Sequence, residues 1–185
     1  MATDIVIRKL SPQLMDDYLK FFDTVAFTDN PGWASCYCYF SHAPHQTEDW
    51  QTRTGVQNRD AAMDSIQRSR MSGYLAYSGG KPVGWCNANI KTRFSTFENN
   101  VDESIGAIVC FIVGKDYRGQ GIATRLLDAA CEGFHRDGIR IVEAYPRTQA
   151  KSESANYHGP LEMYLRAGFE KVEEADGTIT VRKRL

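Results

Sequence analysis

No sign of charge dominates this chain: 22 lysines and arginines stand against 23 aspartates and glutamates, a net charge of −1. Proteins that hold nucleic acid or an anionic membrane through a global field carry a basic excess. Neither partner is expected here, and any anion must be held by a local site. No apolar run is long enough to cross a bilayer, and the first residues lack the basic and apolar regions of a secretory leader. Internal repeats and low-complexity segments are missing as well. The five cysteines, Cys36, Cys38, Cys86, Cys110 and Cys131, are odd in number and scattered. That fits reduced thiols in a cytoplasmic protein rather than a disulfide framework.

What the chain does have is the makings of one core. Its 185 residues, 42% hydrophobic and 24% charged, suit a single α/β domain spanning 1–185. "DIVIRKL" alternates as a short strand, and "SPQLMDDYLKFFDTVAF" follows with helical signals: Ser11 as N-cap, Pro12 in the first turn and Leu10 placed to staple against Met15. Residues 28–54 lose the helical period and form a long aromatic connection of the kind that often serves as a binding loop. "NRDAAMDSIQRSRM" reads as a second amphipathic helix, and "GYLAYSGGKPVGWCNANI" as a hairpin around Gly79-Gly80. "SIGAIVCFIV" is apolar almost throughout, as a strand buried on both faces should be. A helix ended by Gly138, the strand "IRIVEAYP", a short helix from Pro160 to Gly168 and a hairpin around Asp176-Gly177 complete the order. The predicted architecture is a mixed sheet flanked by helices.

The segment "KDYRGQGIATRLLDAA", residues 115–130, is unusual. A helix start ordinarily takes a Ser, Thr, Asp or Asn cap, yet Gly119, Gly121 and Ala123 stand here beside Arg118. A glycine loop between a strand and a helix N-terminus is suited to anions, because the first amides lack intrahelical partners and the helix dipole is positive there. Lys-Ser or Lys-Thr does not close the loop as in a Walker A motif, and the spacing is not the dinucleotide GxGxxG. A P-loop phosphotransferase is excluded on the same grounds.

The run Arg118-Gly119-Gln120-Gly121-Ile122-Ala123 resembles the Arg/Gln-x-x-Gly-x-Gly/Ala loop of the GNAT superfamily of acyl-CoA-dependent N-acyltransferases. Met163-Tyr164-Leu165-Arg166-Ala167-Gly168-Phe169 is similar to the Tyr-x-x-x-Gly-Phe segment on that family's last helix. The resemblance covers nearly the whole chain in element order and implies a GNAT-like fold: a mostly antiparallel central sheet with splayed central strands. It implies acetyl-CoA as cosubstrate, with the pyrophosphate on the loop from Arg118 through Gly119, Gln120, Gly121, Ile122 and Ala123 to Thr124. The pantetheine arm would pair with the main chain at Phe111 and Val113, and a backbone N–H near Phe111 would polarise the acyl carbonyl. The family asparagine position, seven residues before the tyrosine, is Tyr157 here, with Asn156 one residue earlier. A one-residue insertion would make Asn156 the pantetheine contact.

The implied reaction is attack of a neutral primary amine, on a small molecule or a peptide, upon the acetyl thioester. Tyr164 falls on the family's general-acid position; the alternative is a core tyrosine. Glu143 is the carboxylate that family geometry favours as proton acceptor, against the alternative of a strand-end charge reaching solvent. His158 is a further proton acceptor to weigh. Trp33, Tyr37, Tyr39 and Phe40 are expected to wall the acceptor pocket, joined by Trp85 and Asn87, which share one strand face with Asn89. Cys36, Cys38, His42 and His45 are zinc-type ligands in the wrong spacing, so no metal is expected. Cys110 reads as a small buried hydrophobe. A non-catalytic acyl-CoA-binding module stays open beside the enzyme. Members of the family commonly pair, so a homodimer is open too.

Overall fold

The near-continuous apolar run of β4 (Ile105–Val113) lies at the centre of a seven-stranded sheet in a computed structural model that describes residues 4–97, 102–149 and 156–185. The other strands are β1 (Ile5–Lys9), β2 (Gly73–Ser78), β3 (Lys81–Ile90), β5 (Ile141–Ala144), β6 (Glu170–Ala175) and β7 (Thr178–Arg184), in the order β1-β2-β3-β4-β5-β7-β6. Every neighbouring pair is antiparallel except β4 and β5. That pair is parallel because α3 (Ile122–Arg136) carries the chain back across the sheet.

Two cores hold the sheet. On one face the apolar stripe of α3, Ile122, Leu126, Leu127, Ala130 and Phe134, packs on Val83, Cys86, Ile108 and Val142. Gly106 of β4 is required there, because a Cβ would lie 2.8 Å from the Phe134 ring. On the other face α1 (Met15–Thr24) and α2 (Gly55–Gln67) bring Tyr18, Leu19, Phe22 and Ile66 onto Leu75, Trp85 and Ile112. At these burials each large side chain contributes about 1.5–3 kcal/mol.

The element order matches the sequence expectation, and the differences lie at helix termini, α1 stopping at Thr24 and α2 at Gln67, short of their apolar patterns. Pro12–Leu14 form a separate 3-10 turn before α1, and the Ser11 side chain makes no capping bond. Helix α2 begins earlier than its apolar pattern, where Thr54 and Gln57 exchange bonds in a capping box. Residues 28–54 carry three short 3-10 turns, Pro31–Cys36, Phe40–His42 and Trp50–Thr52. Among the described residues no helix is long and apolar enough to cross a membrane.

One irregularity positions the site. Pairing between β3 and β4 shifts after Asn87, which leaves Val109 as an extra residue in β4. Pairing between β4 and β5 stops at Ile108 and Ala144. The central strands therefore part, and among the described residues β4 from Val109 to Val113 has no strand on its β5 side.

Candidate active site

The parted half of β4 runs directly into the glycine loop. Gly119 and Gly121 adopt φ of +73° and +75°, and space is open where a Cβ would be on either one. A left-handed backbone with room above it is what a ligand held by main-chain groups needs. The first intrahelical bond of α3 runs from the Arg125 amide to the Gly121 carbonyl. The amides of Ile122, Ala123 and Thr124 therefore precede it and point along the helix axis toward the loop. Ile122 anchors its side chain in the core, while Gln120 and Thr124 are exposed.

Arg118 departs from expectation. Its guanidinium grips Asp29 through Nη1 at 2.5 Å and Nη2 at 3.1 Å, and its Nε–H donates to the Val113 carbonyl at 3.1 Å. The bonds from Arg118 hold the Asp29 carboxyl below the usual range. The side chain thus ties the long aromatic connection to the end of β4 and is not turned to the loop mouth.

The free edge of β4 is covered by the segment before α4 (Leu161–Arg166). The Phe111 amide donates to the Tyr157 carbonyl at 2.6 Å, and His158 Nδ1–H donates to the Val109 carbonyl at 2.8 Å. Asn156 precedes this contact in a turn where the Gly159 amide donates to its carbonyl. Tyr164 is 0% exposed, and its hydroxyl donates to the His158 carbonyl at 2.6 Å. Burial raises its phenol well above the ordinary range, so it stays protonated. Burial also takes the His158 imidazole down to about 4.

A cavity of about 470 Å3 opens beside Val109, Cys110 and Ile112 of β4. Trp33 and Phe40 line it, together with rings from Trp50, Phe97, Tyr145 and Tyr157. Tyr37, Tyr39, Trp85 and Asn87 do not line it. Tyr37 donates to Asp23, Tyr39 stacks on His42, and Trp85 is 0% exposed, edge-on to Tyr18. Asn87 lies behind the cavity wall, its amide donating to the Cys38 carbonyl at 3.2 Å and lying 3.1 Å from His42 Nε2. Cys36, Cys38 and Cys110 lie on the wall. Burial works to raise the Cys38 thiol, but the Cys110 thiol and the Asn87 amide, 3.3 Å from Cys38 Sγ, outweigh it and hold it below its ordinary value. Among the described residues no three His, Cys, Asp or Glu side chains converge as metal ligands.

Glu143 also departs from expectation. It is 2% exposed and takes bonds from Lys91 at 2.7 Å, Arg182 at 2.6 and 3.0 Å, and the Tyr145 hydroxyl at 3.0 Å. Burial alone would raise its carboxyl, but these donors prevail and lower it. A carboxylate so engaged is a poor proton acceptor, and it lies outside the cavity lining. Neither periodicity nor motif pointed to Trp50, Phe97, Tyr145 or Arg147 as lining residues, since they come from three separate segments.

The parted strands, the glycine loop at a helix N-terminus and the buried tyrosine define an acyltransferase-type scaffold. The Acetyltransferase (GNAT) family profile matches residues 32–169, and the chain belongs to that family. An uncharacterised N-acetyltransferase of Methanocaldococcus jannaschii is 30% identical over 123 residues, 65% of this chain and 48% of that protein. The chain thus spans about half the length of the curated relative it matches. Among solved structures, the PaiA N-acetyltransferase of Thermoplasma acidophilum, in complex with coenzyme A, superposes with a TM-score of 0.62. Its identity is 16%, with 98% of this chain and 99% of that one covered. A GNAT acetyltransferase of Listeria monocytogenes gives 0.60 at 13% identity, covering 100% and 99%. At such identities the likeness concerns the fold.

Proposed function

We propose that this protein is an N-acetyltransferase that moves the acetyl group of acetyl-CoA to a primary amine of a small molecule or peptide. The observation that carries this reading is a coincidence of place. The strandless stretch of β4 borders the aromatic cavity, leads into the loop at the mouth of α3, and has the Tyr164 ring 6.3 Å from the ring of Phe111.

Acetyl-CoA, when bound, supplies an activated thioester. The amides of Ile122, Ala123 and Thr124, with the open backbone at Gly119 and Gly121, cradle its pyrophosphate. Phe111 and Val113 offer main-chain groups to the pantetheine arm once Tyr157 and Arg118 release them. The Phe111 N–H then faces the acyl oxygen and stabilises the charge that develops there. Tyr164, protonated by virtue of its burial, gives its proton to the sulfur as the C–S bond breaks, and the proton shed by the amine nitrogen as the C–N bond forms restores the phenol. Among the described residues that line the cavity there is no carboxylate. Its apolar walls disfavour an ammonium ion, lower the amine's pKa and deliver the neutral nucleophile.

Calorimetric titration with acetyl-CoA, beside ATP and NAD, tests the cradle. The expected result is binding of acetyl-CoA alone, with a dissociation constant on the order of micromolar. No heat from acetyl-CoA in folded protein would overturn the reading.

A further inference from the structure

We propose that the cavity beside β4 accepts an amine with a flat apolar body and one carboxylate, and that Arg147 is the residue that reads the carboxylate. This rests on the transferase reading above and adds the acceptor class to it.

The walls come first. Trp33, Phe40, Trp50, Phe97 and Tyr145 present rings to the cavity. They are braced in pairs: Phe40 against Trp50 at 5.1 Å and Phe97 against Tyr145 at 4.8 Å. The Tyr145 hydroxyl is turned away to Glu143 at 3.0 Å, so its ring and not its polar end faces the cavity. Stiff aromatic faces of this kind recognise planar apolar groups with large contact area and little entropy to lose.

The charge pattern then selects within that class. Among the described residues no Asp or Glu lines the cavity, and the lining residue with a permanent charge is Arg147. Its backbone is fixed: Arg147 bridges Thr178, and the neighbouring Ile179 amide donates to the Pro146 carbonyl at 2.8 Å. Its side chain is exposed at the rim and has no hydrogen bond or ion pair among the described residues. A guanidinium on a rigid backbone beside an apolar cavity is suited to bidentate carboxylate binding. A second or third ammonium would find no carboxylate and would meet Arg147. Polyamines and aminoglycosides are therefore poor fits on physical grounds.

The test compares three sets of amines, by initial rates with acetyl-CoA and by calorimetry without it. Phenylalanine and tryptophan carry ring and carboxylate, phenethylamine and tryptamine carry the ring alone, and spermidine and kanamycin are polycations. The expected order in kcat/KM is amino acids above their decarboxylated twins by about 10-fold or more, with the polycations last. Arg147→Gln should raise KM for the amino acids by about 10-fold while leaving phenethylamine and the acetyl-CoA dissociation constant within about 3-fold. Arg147→Glu should reverse the preference between tryptophan and tryptamine.

Preferential turnover of spermidine or kanamycin would overturn the proposal. So would an Arg147→Gln effect shared equally by both aromatic sets, or acetylation of none of the six by protein that binds acetyl-CoA. The two readings fail separately: phenylalanine binding in protein that ignores acetyl-CoA sinks the transferase and supports the aromatic-acid site.

Discussion

The Phe111 amide donates to the Tyr157 carbonyl at 2.6 Å, so the group best placed to meet an acyl oxygen is already engaged within the protein. A ligand that pairs with β4 must displace this segment. Tyr157 packs edge-on to Trp33 at 5.3 Å, which gives the displacement an optical reporter. Acetyl-CoA should change tryptophan emission in the native protein. Trp33→Phe should remove most of that change while the dissociation constant stays within about 3-fold. An unchanged signal in Trp33→Phe would mean that the segment stays in place.

Gly121 holds φ at +75° with open space above it. Gly121→Ala should cost about 1–2 kcal/mol through backbone strain alone, a lowering of Tm of a few degrees. It should also weaken acetyl-CoA binding about 10-fold or more, since the methyl would intrude on the proposed phosphate cradle. Calorimetry and a thermal scan on one preparation separate the two effects.

Tyr164→Phe removes the hydroxyl that reaches the His158 carbonyl. If that proton goes to the leaving sulfur, kcat should fall about 100-fold or more while acetyl-CoA affinity is nearly unchanged. Loss of affinity in step with kcat would assign the hydroxyl to holding the Tyr157–His158 segment. Steady-state kinetics beside calorimetry decides.

Glu143→Gln should unfold the protein more readily without disabling it. Lys91 and Arg182 would lose the buried carboxylate they share, and breaking such a cluster typically costs about 3–5 kcal/mol. Melting curves should shift downward by roughly 10 °C. At a temperature where the variant is folded, kcat should remain within about 3-fold. A collapse in kcat with an intact Tm would restore Glu143 as the proton acceptor.

Burial takes both His42 and His158 down to about 4. In the unfolded chain they titrate near about 6.5, so between these values the unfolded state binds more protons than the folded one. Stability is fully present above the unfolded value and is lost as pH falls through the folded value. Tm should therefore drop by roughly 5 °C or more from pH about 7 to about 4.5. His42→Gln, which keeps a polar partner for Asn87, should flatten part of that slope.

Much of this architecture was legible because its signals are local. Glycines at 79, 80, 138, 168 and 177 mark turns and a helix end that need positive φ, and the α3 stripe repeats at helical spacing. Period two correctly put Trp85, Asn87 and Asn89 on one face. It could not show that Cys38 and His42 cover that face and separate it from the cavity. The same limit explains Glu143: nothing within "IRIVEAYP" shows Lys91 and Arg182 arriving from 52 and 39 residues away. Arg118 looked like a phosphate ligand because its partner Asp29 lies 89 residues earlier. Ring convergence from four segments is a property of the packed chain and leaves no periodic trace.

The parting of β4 from β5 turns an interior strand into an edge for the length of Val109 to Val113. Bare edges of that kind recruit strands from other molecules. In the free protein His158, Tyr157 and Arg118 answer the Val109 carbonyl, the Phe111 amide and the Val113 carbonyl in turn. Those three bonds act as a dust cover for the exposed edge. A chain that keeps its catalytic groups but loses the cover should remain sound while cosubstrate is abundant and begin to self-associate when it is scarce.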